Sequence, residues 1–181
     1  MATGKWNPQE SSSQLATVQD GNVKGWDLRT PNKSVWSISQ AHTQIARDVD
    51  YNRNRQYFVG TCGDDGACRF WDVRHPDRAV VTQWHHSHWV WSLRYNTCHD
   101  QLVVSASSDA RVVLASVASV SSEPVEITED GLLVSYDSHE ESVYCVEWSP
   151  VDPWCFASLS YDGRLLINRV PKSHKYRILG I

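Results

Sequence analysis

The 181-residue sequence lacks the features that would assign it to a membrane, secreted or nucleic-acid-binding class. No run of about 18 apolar residues occurs, so we expect no membrane-spanning helix. Residues 1–6 lack the apolar core of a secretory signal peptide. Basic residues are not in excess, since the net charge is −4 and the pI is about 6.0. This charge excludes the electrostatic footprint of a nucleic-acid-binding domain.

The sequence also lacks paired cysteines and long helical patterns. Its five cysteines are an odd number, and none has CxxC spacing. They indicate reduced thiols in a cytosolic protein rather than a disulfide framework or a zinc cage, and we expect no metal or cofactor. No stretch shows helical periodicity over ten residues or more. Tryptophan is abundant instead, with nine residues, in a composition typical of a folded soluble domain.

A repeat of about 45 residues runs through the chain. Trp26 and Trp71 end similar segments and lie 45 residues apart, close to the period of about 40–45 residues in WD repeats. An aspartate recurs at steps of 45, 44 and 53, and a histidine at steps of 44 and 53. They are Asp20, Asp65, Asp109 and Asp162, and His42, His86 and His139. Two markers that shift together indicate a true repeat.

Short β-branched and aromatic runs between Asp, Gly and Asn turns predict β-strands throughout. In the second unit we expect strands at 46–51, 56–62 and 67–73. The prediction is an all-β WD-repeat β-propeller of about four four-stranded blades, an incomplete or half propeller. The predicted units are 1–41, 42–85, 86–138 with a flexible acidic and Ser-rich loop at 118–131, and 139–181 with a C-terminal tail.

The markers resemble the hydrogen-bonded tetrad of WD-repeat proteins, which joins a loop His, a Ser or Thr, a turn Asp and a Trp. The resemblance implies His42, Thr61, Asp65 and Trp71 in the second unit, His86, Ser105 and Asp109 in the third, and His139, Ser158 and Asp162 in the fourth. Ala115 and Asn168 occupy the Trp positions of the last two units, so we expect shorter networks there. The first unit has Asp20 and Trp26, with Thr17 shifted by one position and no His.

The resemblance also implies a binding surface around the central opening of a propeller. The corresponding positions are Ile45, Arg47, Asp64, Trp89, Trp91, Ser108, Ser142, Tyr144 and Tyr161. Five of these nine are Trp, Tyr or Arg, the residue types that dominate interface hot spots. We predict a protein-binding site at Arg47, Asp64, Trp89, Trp91, Tyr144 and Tyr161. For Trp91 and Tyr144, packing between blades explains the residue type equally well.

Longer stretches resemble one family in particular. Residues 60–65, 86–91, 100–103, 120–124 and 152–171 are similar to the C-terminal half of the family that interacts with the endosome-associated recycling (EARP) and Golgi-associated retrograde (GARP) tethering complexes. The resemblance implies a non-enzymatic, cytoplasmic scaffold at the trans-Golgi network and endosomes. Its partners would be tethering-complex subunits, and its role would be endosomal recycling and retrograde transport. Two departures are the missing N-terminal blades and an acidic insertion reduced to 118–131.

Two other classes of function, a ubiquitin-ligase substrate receptor and an enzyme, have their own sequence signatures. Trp26, Asp27 and Arg29, and Trp71, Asp72 and Arg74, match the WDxR box of cullin-RING ubiquitin-ligase substrate receptors. The same Asp–Arg pairs are also typical of blade-edge salt bridges. An enzyme is not predicted, because no nucleophile, base and orienting group share a pattern, and no phosphate loop or metal spacing occurs. We expect protein partners, with no small-molecule substrate, nucleic acid or membrane insertion.

Overall fold

The computed structural model describes residues 3–9, 13–30, 32–122 and 129–181. Its strands form four antiparallel sheets, which we name blades 1 to 4. Blade 1 contains β1 (Thr3–Trp6), β2 (Gln14–Gln19), β3 (Asn22–Asp27) and β4 (Ser34–Ile38). Blade 2 contains β5 (Ala46–Tyr51), β6 (Phe58–Gly63), β7 (Cys68–Asp72) and β8 (Val81–Gln83). Blade 3 contains β9 (Val90–Tyr95), β10 (Leu102–Ser107), β11 (Val112–Ser116) and β12 (Gly131–Tyr136), and blade 4 contains β13 (Val143–Trp148), β14 (Cys155–Ser160) and β15 (Leu165–Arg169).

Consecutive blades pack face to face, and their first strands β1, β5, β9 and β13 lie next to one another in that order. Three apolar clusters fill the spaces between blades 1 and 2, 2 and 3, and 3 and 4. A strand between two covered faces buries both sets of alternating side chains, which explains why β6 and β10 are buried at every position. The all-β prediction and the incomplete propeller of about four blades are confirmed.

Blade 4 has three strands instead of the four that the repeat predicts. After β15, Pro171 precedes helix α1 (Lys172–Leu179). The residue that follows the helix, Gly180, has a left-handed φ of 69° and caps its C-terminus. Only a tail was predicted here, because an eight-residue helix is too short to show a clear helical period in the sequence. Ile178 of α1 packs against the cluster between blades 3 and 4, so tertiary contact holds the helix in place. Among the described residues, no helix is both long and apolar enough to cross a membrane.

Two local predictions need correction. The second strand of blade 2 begins at Phe58 rather than residue 56, because 56 and 57 belong to the preceding turn. The 118–131 loop is ordered at its start, where Ala118–Val120 forms a 3₁₀ turn and the Val120 side chain is fully buried. Asp100 holds the next two residues, accepting hydrogen bonds from the hydroxyls of Ser121 and Ser122 at 3.3 and 3.0 Å. The acidic part of that loop at 123–128 lies outside the described residues.

Gly25 of β3 is required by close packing rather than by its backbone angles. Trp36 on β4 lies opposite Gly25, and its ring covers the glycine. A Cβ on Gly25 would lie 2.0 Å from Cε2 of this ring. We expect Gly25→Ala to lower the free energy of unfolding by about 1–3 kcal/mol, as overpacking does. Chemical denaturation measures the change. In a Trp36→Leu background the same substitution should cost much less, and an equal cost in both backgrounds would contradict this explanation.

Candidate functional site

The tetrad residues of blade 2 form one continuous hydrogen-bonded chain. The His42 ring lies in the loop before β5, with Nδ1 2.8 Å from Asp65 Oδ1 and Nε2 2.8 Å from Thr61 Oγ1. On β7, the Trp71 indole Nε1 donates to the same Thr61 oxygen at 3.0 Å. Arg69 adds a hydrogen bond to Asp65 Oδ2 at 2.7 Å. Apart from Arg69, these side chains are almost completely buried, so the chain joins strands β6 and β7 to the loop before β5.

The order of donors in this chain fits a neutral histidine. An indole N–H can only donate, so the Thr61 oxygen accepts from Trp71 and its own proton is available to His42 Nε2. His42 Nδ1 lies 2.8 Å from Asp65 Oδ1 and 2.7 Å from Arg69 Nη1, and the ionised Asp65 carboxylate, which can only accept, is the acceptor that the His42 Nδ1 proton and Arg69 share. Burial lowers the pKa of His42 below its usual 6.5. Burial alone raises the pKa of Asp65, but the hydrogen bonds from His42 and Arg69 outweigh it and hold that pKa well below its usual range.

These directions predict a pH dependence of stability. Below pH 6.5 the unfolded His42 binds a proton that the folded form resists, so stability falls as the pH decreases from 6.5. One such group contributes a slope of at most about 1.4 kcal/mol per pH unit. The stability that Asp65 supplies is present above its unfolded pKa near 3.8 and is lost at lower pH. Denaturation midpoints between pH 5 and 7.5 test the histidine part.

The matched variant for this prediction is His42→Asn. Asparagine keeps a short polar side chain and does not titrate between pH 5 and 7.5. Its midpoint should vary less with pH between 5 and 7 than that of the unchanged chain. Equal slopes in the two proteins would contradict the role given to His42.

Blades 3 and 4 contain the same chain of hydrogen bonds as blade 2, but without its tryptophan. His86 reaches Asp109 Oδ2 at 3.0 Å through Nδ1 and Ser105 Oγ at 2.8 Å through Nε2. His139 makes the corresponding contacts with Asp162 and Ser158 at 3.3 and 2.9 Å. The Asn168 amide stands in for the indole and donates to Ser158 Oγ at 3.4 Å, whereas Ala115 offers no donor in blade 3. Acting against burial, the hydrogen bond from His86 lowers the pKa of Asp109, and the hydrogen bonds from the backbone N–H groups of Glu140 and Arg164 lower that of Asp162.

Blade 1 keeps only one link of the chain. Trp26 Nε1 donates to Thr17 Oγ1 at 2.8 Å, as Trp71 does to Thr61. The Thr and the Trp are 9 residues apart in blade 1 and 10 residues apart in blade 2. The difference arises because β2 and β3 pair up to Gln19 and Asn22, leaving a shorter turn at residues 20 and 21. The structure therefore explains the one-residue shift of Thr17 in physical terms.

A third marker, which was not predicted from the sequence, recurs in the same steps as the Asp and His markers. Asn7, Asn52, Asn96 and Ser149 follow the first strand of each blade, and each side chain accepts a backbone N–H two residues later. Asx and Ser turns of this kind fix the loop between the first two strands. Asn52 also donates to the buried Asp100 at 2.9 Å, which joins blade 2 to blade 3. The common spacing with the Asp and His markers was the signal that could have revealed them.

Four aromatic rings of blades 3 and 4 form a continuous row, which we name the aromatic face: Trp89, Trp91, Tyr144 and Tyr161. The first three lie at the starts of β9 and β13, and Tyr161 directly follows β14. Neighbouring ring centroids lie 6.0, 5.0 and 6.3 Å apart. Trp89, Tyr144 and Tyr161 are 41%, 44% and 77% exposed. Trp91 is half-buried and donates its indole N–H to Ser108 Oγ at 2.6 Å. Large exposed aromatic patches of this kind are typical of interaction sites.

Arg47 of blade 2 extends this surface and is held by Asp64. The Arg47 guanidinium carbon lies 4.4 Å from the Trp91 ring centroid and 5.5 Å from that of Trp89. Its Nε and Nη2 donate to the two Asp64 oxygens at 2.5 and 2.6 Å, and this bond raises the pKa of Arg47. The bidentate pair fixes the arginine against the rings and neutralises its charge. All six residues of the predicted binding site are thus gathered in one place.

The other candidate sites have structural explanations. Arg29 and Arg74 each bond the aspartate two residues earlier, with Nη2 contacts of 2.5 Å to Asp27 and 2.6 Å to Asp72. The Arg29 hydrogen bond lowers the pKa of Asp27 to about 2. The His99 ring packs against that of Trp154, with the ring centroids 4.4 Å apart. Within the described ranges, no group of three or more His, Cys, Asp or Glu side chains is placed to hold a metal ion.

Repeated antiparallel blades, three of which contain a His, Asp and Ser or Thr network, define a WD-repeat β-propeller unit. In agreement, a family model described as "WD domain, G-beta repeat" matches residues 131–167. A second family model, "EIPR1 beta-propeller", matches residues 1–115. The chain belongs to the EIPR1 beta-propeller family, and the predicted resemblance is confirmed.

The chain is similar to animal proteins over almost its whole length. The chain is 47% identical to "EARP-interacting protein homolog" of Gekko japonicus and 45% identical to "EARP and GARP complex-interacting protein 1" of Homo sapiens, over 98% of this chain and 51% of each relative. It is 40% identical to "EARP-interacting protein 1" of Caenorhabditis elegans, over 99% of this chain and 54% of the relative. The chain therefore spans about half the length of the relatives it matches.

Proposed function

We propose that the chain is a non-enzymatic protein-binding scaffold that works with EARP- and GARP-type tethering complexes in endosomal recycling and endosome-to-Golgi retrograde transport. It would act in the cytoplasm, peripherally at endosomes and the trans-Golgi network. The relatives' names support the choice of partner. The observation that carries the binding role is the aromatic face, with three of its four rings more than 40% exposed in a continuous row.

The composition of this surface suits recognition of a protein. Tyr and Trp bury a large area at low entropic cost, and their polar tips keep hydrogen-bonding capacity at an interface. Trp91 is fixed by Ser108, and Arg47 by Asp64, so the partner meets side chains that are already positioned. Because the Arg47–Asp64 pair is internally neutralised, we expect the partner to present apolar and hydrogen-bonding groups rather than a strongly charged surface.

The test is affinity purification of the tagged chain from cell extract, with the bound proteins identified by mass spectrometry. We expect tethering-complex subunits to be recovered, and a Trp89→Ser and Tyr161→Ser double variant to recover at least about tenfold less, because hot-spot losses of 2 kcal/mol or more are typical of such residues. Trp84→Ser is the matched control, since Trp84 is 61% exposed and is not part of the aromatic face.

Recovery of no tethering-complex subunit would contradict the choice of partner. Recovery that is equal for the double variant and the Trp84→Ser control would contradict the assignment of the aromatic face. Loss in both variants would show that the effect is not specific to the aromatic face.

A further inference from the structure

Residues 118–122, which we name the linking segment, are held between blades 2 and 3 by one buried carboxylate. Asp100 is fully buried, and the Asn52 amide of blade 2 donates to its Oδ2 at 2.9 Å. From the linking segment, the Ser122 N–H donates to Oδ2 at 2.8 Å. The hydroxyls of Ser121 and Ser122 donate to Oδ1 at 3.3 and 3.0 Å. Four donors around one carboxylate fit its ionised form, which can only accept.

The linking segment also makes direct contacts with both blades. Its Val120 side chain is fully buried in the apolar cluster between blades 2 and 3. The Val120 carbonyl accepts from Asn52 Nδ2 at 3.3 Å, and the Ser121 carbonyl accepts from Arg55 Nη1 at 3.3 Å. Asn52 and Arg55 both belong to the loop between β5 and β6 of blade 2. The contact between the two blades at this end therefore depends on the linking segment staying in place.

Ser122 is the accessible member of the pair that binds Asp100. Ser121 is buried, whereas Ser122 is exposed, although both hydroxyls reach the same carboxylate oxygen. An enzyme can therefore reach Ser122 Oγ more easily than Ser121 Oγ. In the sequence, Glu123 and Glu126 follow directly. Acidic residues at these positions complement the basic substrate groove of an acid-directed protein kinase.

We propose that Ser122 is a phosphorylation site and that its phosphate releases the linking segment from Asp100. An acid-directed serine kinase transfers the γ-phosphoryl group of ATP to Ser122 Oγ. The new bond joins Oγ to the γ-phosphorus, the bond from that phosphorus to the bridging oxygen breaks to leave ADP, and the hydroxyl proton passes to the catalytic base of the kinase. Hydrolysis by a phosphatase restores the hydroxyl. The proposal does not depend on the proposed function.

The phosphate replaces an attraction between Ser122 and Asp100 by a repulsion. The hydroxyl loses the proton that it donates, and Oγ gains a group with a charge of about −1.5 to −2. This oxygen lies 3.0 Å from the Asp100 carboxylate, which is shielded from water, so the repulsion is only weakly screened.

Arg55 is the cation that could oppose this release. Its guanidinium already donates to the Ser121 carbonyl, and its guanidinium carbon lies 4.0 Å from the Phe58 ring centroid. Turning to the phosphate would give up both contacts. We therefore expect the linking segment to leave Asp100 rather than to rearrange around Arg55.

The test is hydrogen exchange of a chain that carries phosphoserine at position 122, installed by genetic-code expansion. Mass spectrometry follows the amides of residues 120–122, which donate to carbonyls of the same turn and to Asp100. We expect these amides to exchange at least about tenfold faster than in the unmodified chain, because their bonds open when the segment is released. Phosphatase treatment should restore the slow exchange. Phosphoserine at the exposed Ser173 of α1 is the matched control and should leave the three amides unchanged.

Ser122→Glu and Ser122→Gln separate the charge of the phosphate from its bulk. The two side chains have nearly the same shape, and both remove the hydroxyl, but only glutamate adds a negative charge. We expect faster exchange of residues 120–122 in the glutamate variant, and circular dichroism checks that both variants fold. Equal exchange in the two variants would contradict the role of repulsion by Asp100. Unchanged exchange in the chain with phosphoserine at position 122 would overturn the release of the segment.

Use of the site in cells is tested by phosphopeptide mass spectrometry of the tagged chain, purified from animal cells in the presence of phosphatase inhibitors. We expect phosphate on Ser122. Its absence from Ser122, or its presence on Ser121 instead, would overturn the assignment of the site.

Discussion

Replacing Asp65 by alanine is expected to lower the free energy of unfolding by about 3–5 kcal/mol, the usual cost of removing one partner from a buried charged network. Asp65 accepts hydrogen bonds from the backbone N–H groups of Thr43 and Ala67 and also contacts His42 and Arg69. Its removal leaves the Arg69 guanidinium and the His42 Nδ1 proton without their acceptor. Urea denaturation of the purified variant measures the loss.

Asp109→Ala is the comparison for Asp65→Ala. It shows how much of the lost stability is due to the Arg69 contact and how much to the position of the aspartate in the blade. Asp109 takes the same place in blade 3 and binds His86 and the backbone N–H groups of Ser87 and Arg111. Within the described ranges, no arginine side chain hydrogen-bonds to Asp109 as Arg69 does to Asp65. We therefore expect a smaller loss, about 1–3 kcal/mol. Equal losses in the two variants, or a loss below about 1 kcal/mol at Asp65, would contradict this account.

Phe70→Ala is expected to cost a similar amount for a different reason. Phe70 is fully buried between blades 2 and 3, with its ring centroid 5.7 Å from that of Tyr95. Removing a buried Phe side chain loses transfer free energy and leaves a cavity, at a usual cost of about 3–5 kcal/mol. Loss of this contact should also reduce the cooperativity between the two blades, which the m-value of a denaturation curve reports.

Phe70→Leu is the control, because it keeps an apolar side chain of smaller volume at the same place. We expect it to cost about 1–2 kcal/mol and to leave the m-value unchanged. If Phe70→Ala costs no more than Phe70→Leu, the interface between blades 2 and 3 is not the tightly packed core that the structure shows.

The strands and the repeat could be predicted because both depend on short-range patterns. Short runs rich in β-branched and aromatic residues, bounded by turn residues, identify β6 and β10 without any long-range information. The Asp and His markers recur because blades 2, 3 and 4 satisfy the same buried polar groups in the same way. The six residues of the predicted binding site could be selected from the same period, and the structure brings them together. Their use in binding remains a prediction.

Features that depend on contacts between distant residues could not be predicted. The segment after β11 has a loop-like composition, yet Val120 is buried and Ser121 and Ser122 bond Asp100, about 20 positions earlier in the chain. Helix α1 is short and weakly patterned, and its position depends on the packing of Ile178.

The most direct test of the central claim, that the aromatic face binds a tethering complex, is a titration of purified complex with the purified chain by isothermal calorimetry. The account predicts saturable binding by the unchanged chain and by Trp84→Ser, with affinity at least about tenfold weaker for the Trp89→Ser and Tyr161→Ser double variant. Heat capacity should decrease on binding because the exposed rings become buried. Absence of binding by the folded chain, or equal affinity in all three proteins, would contradict the account.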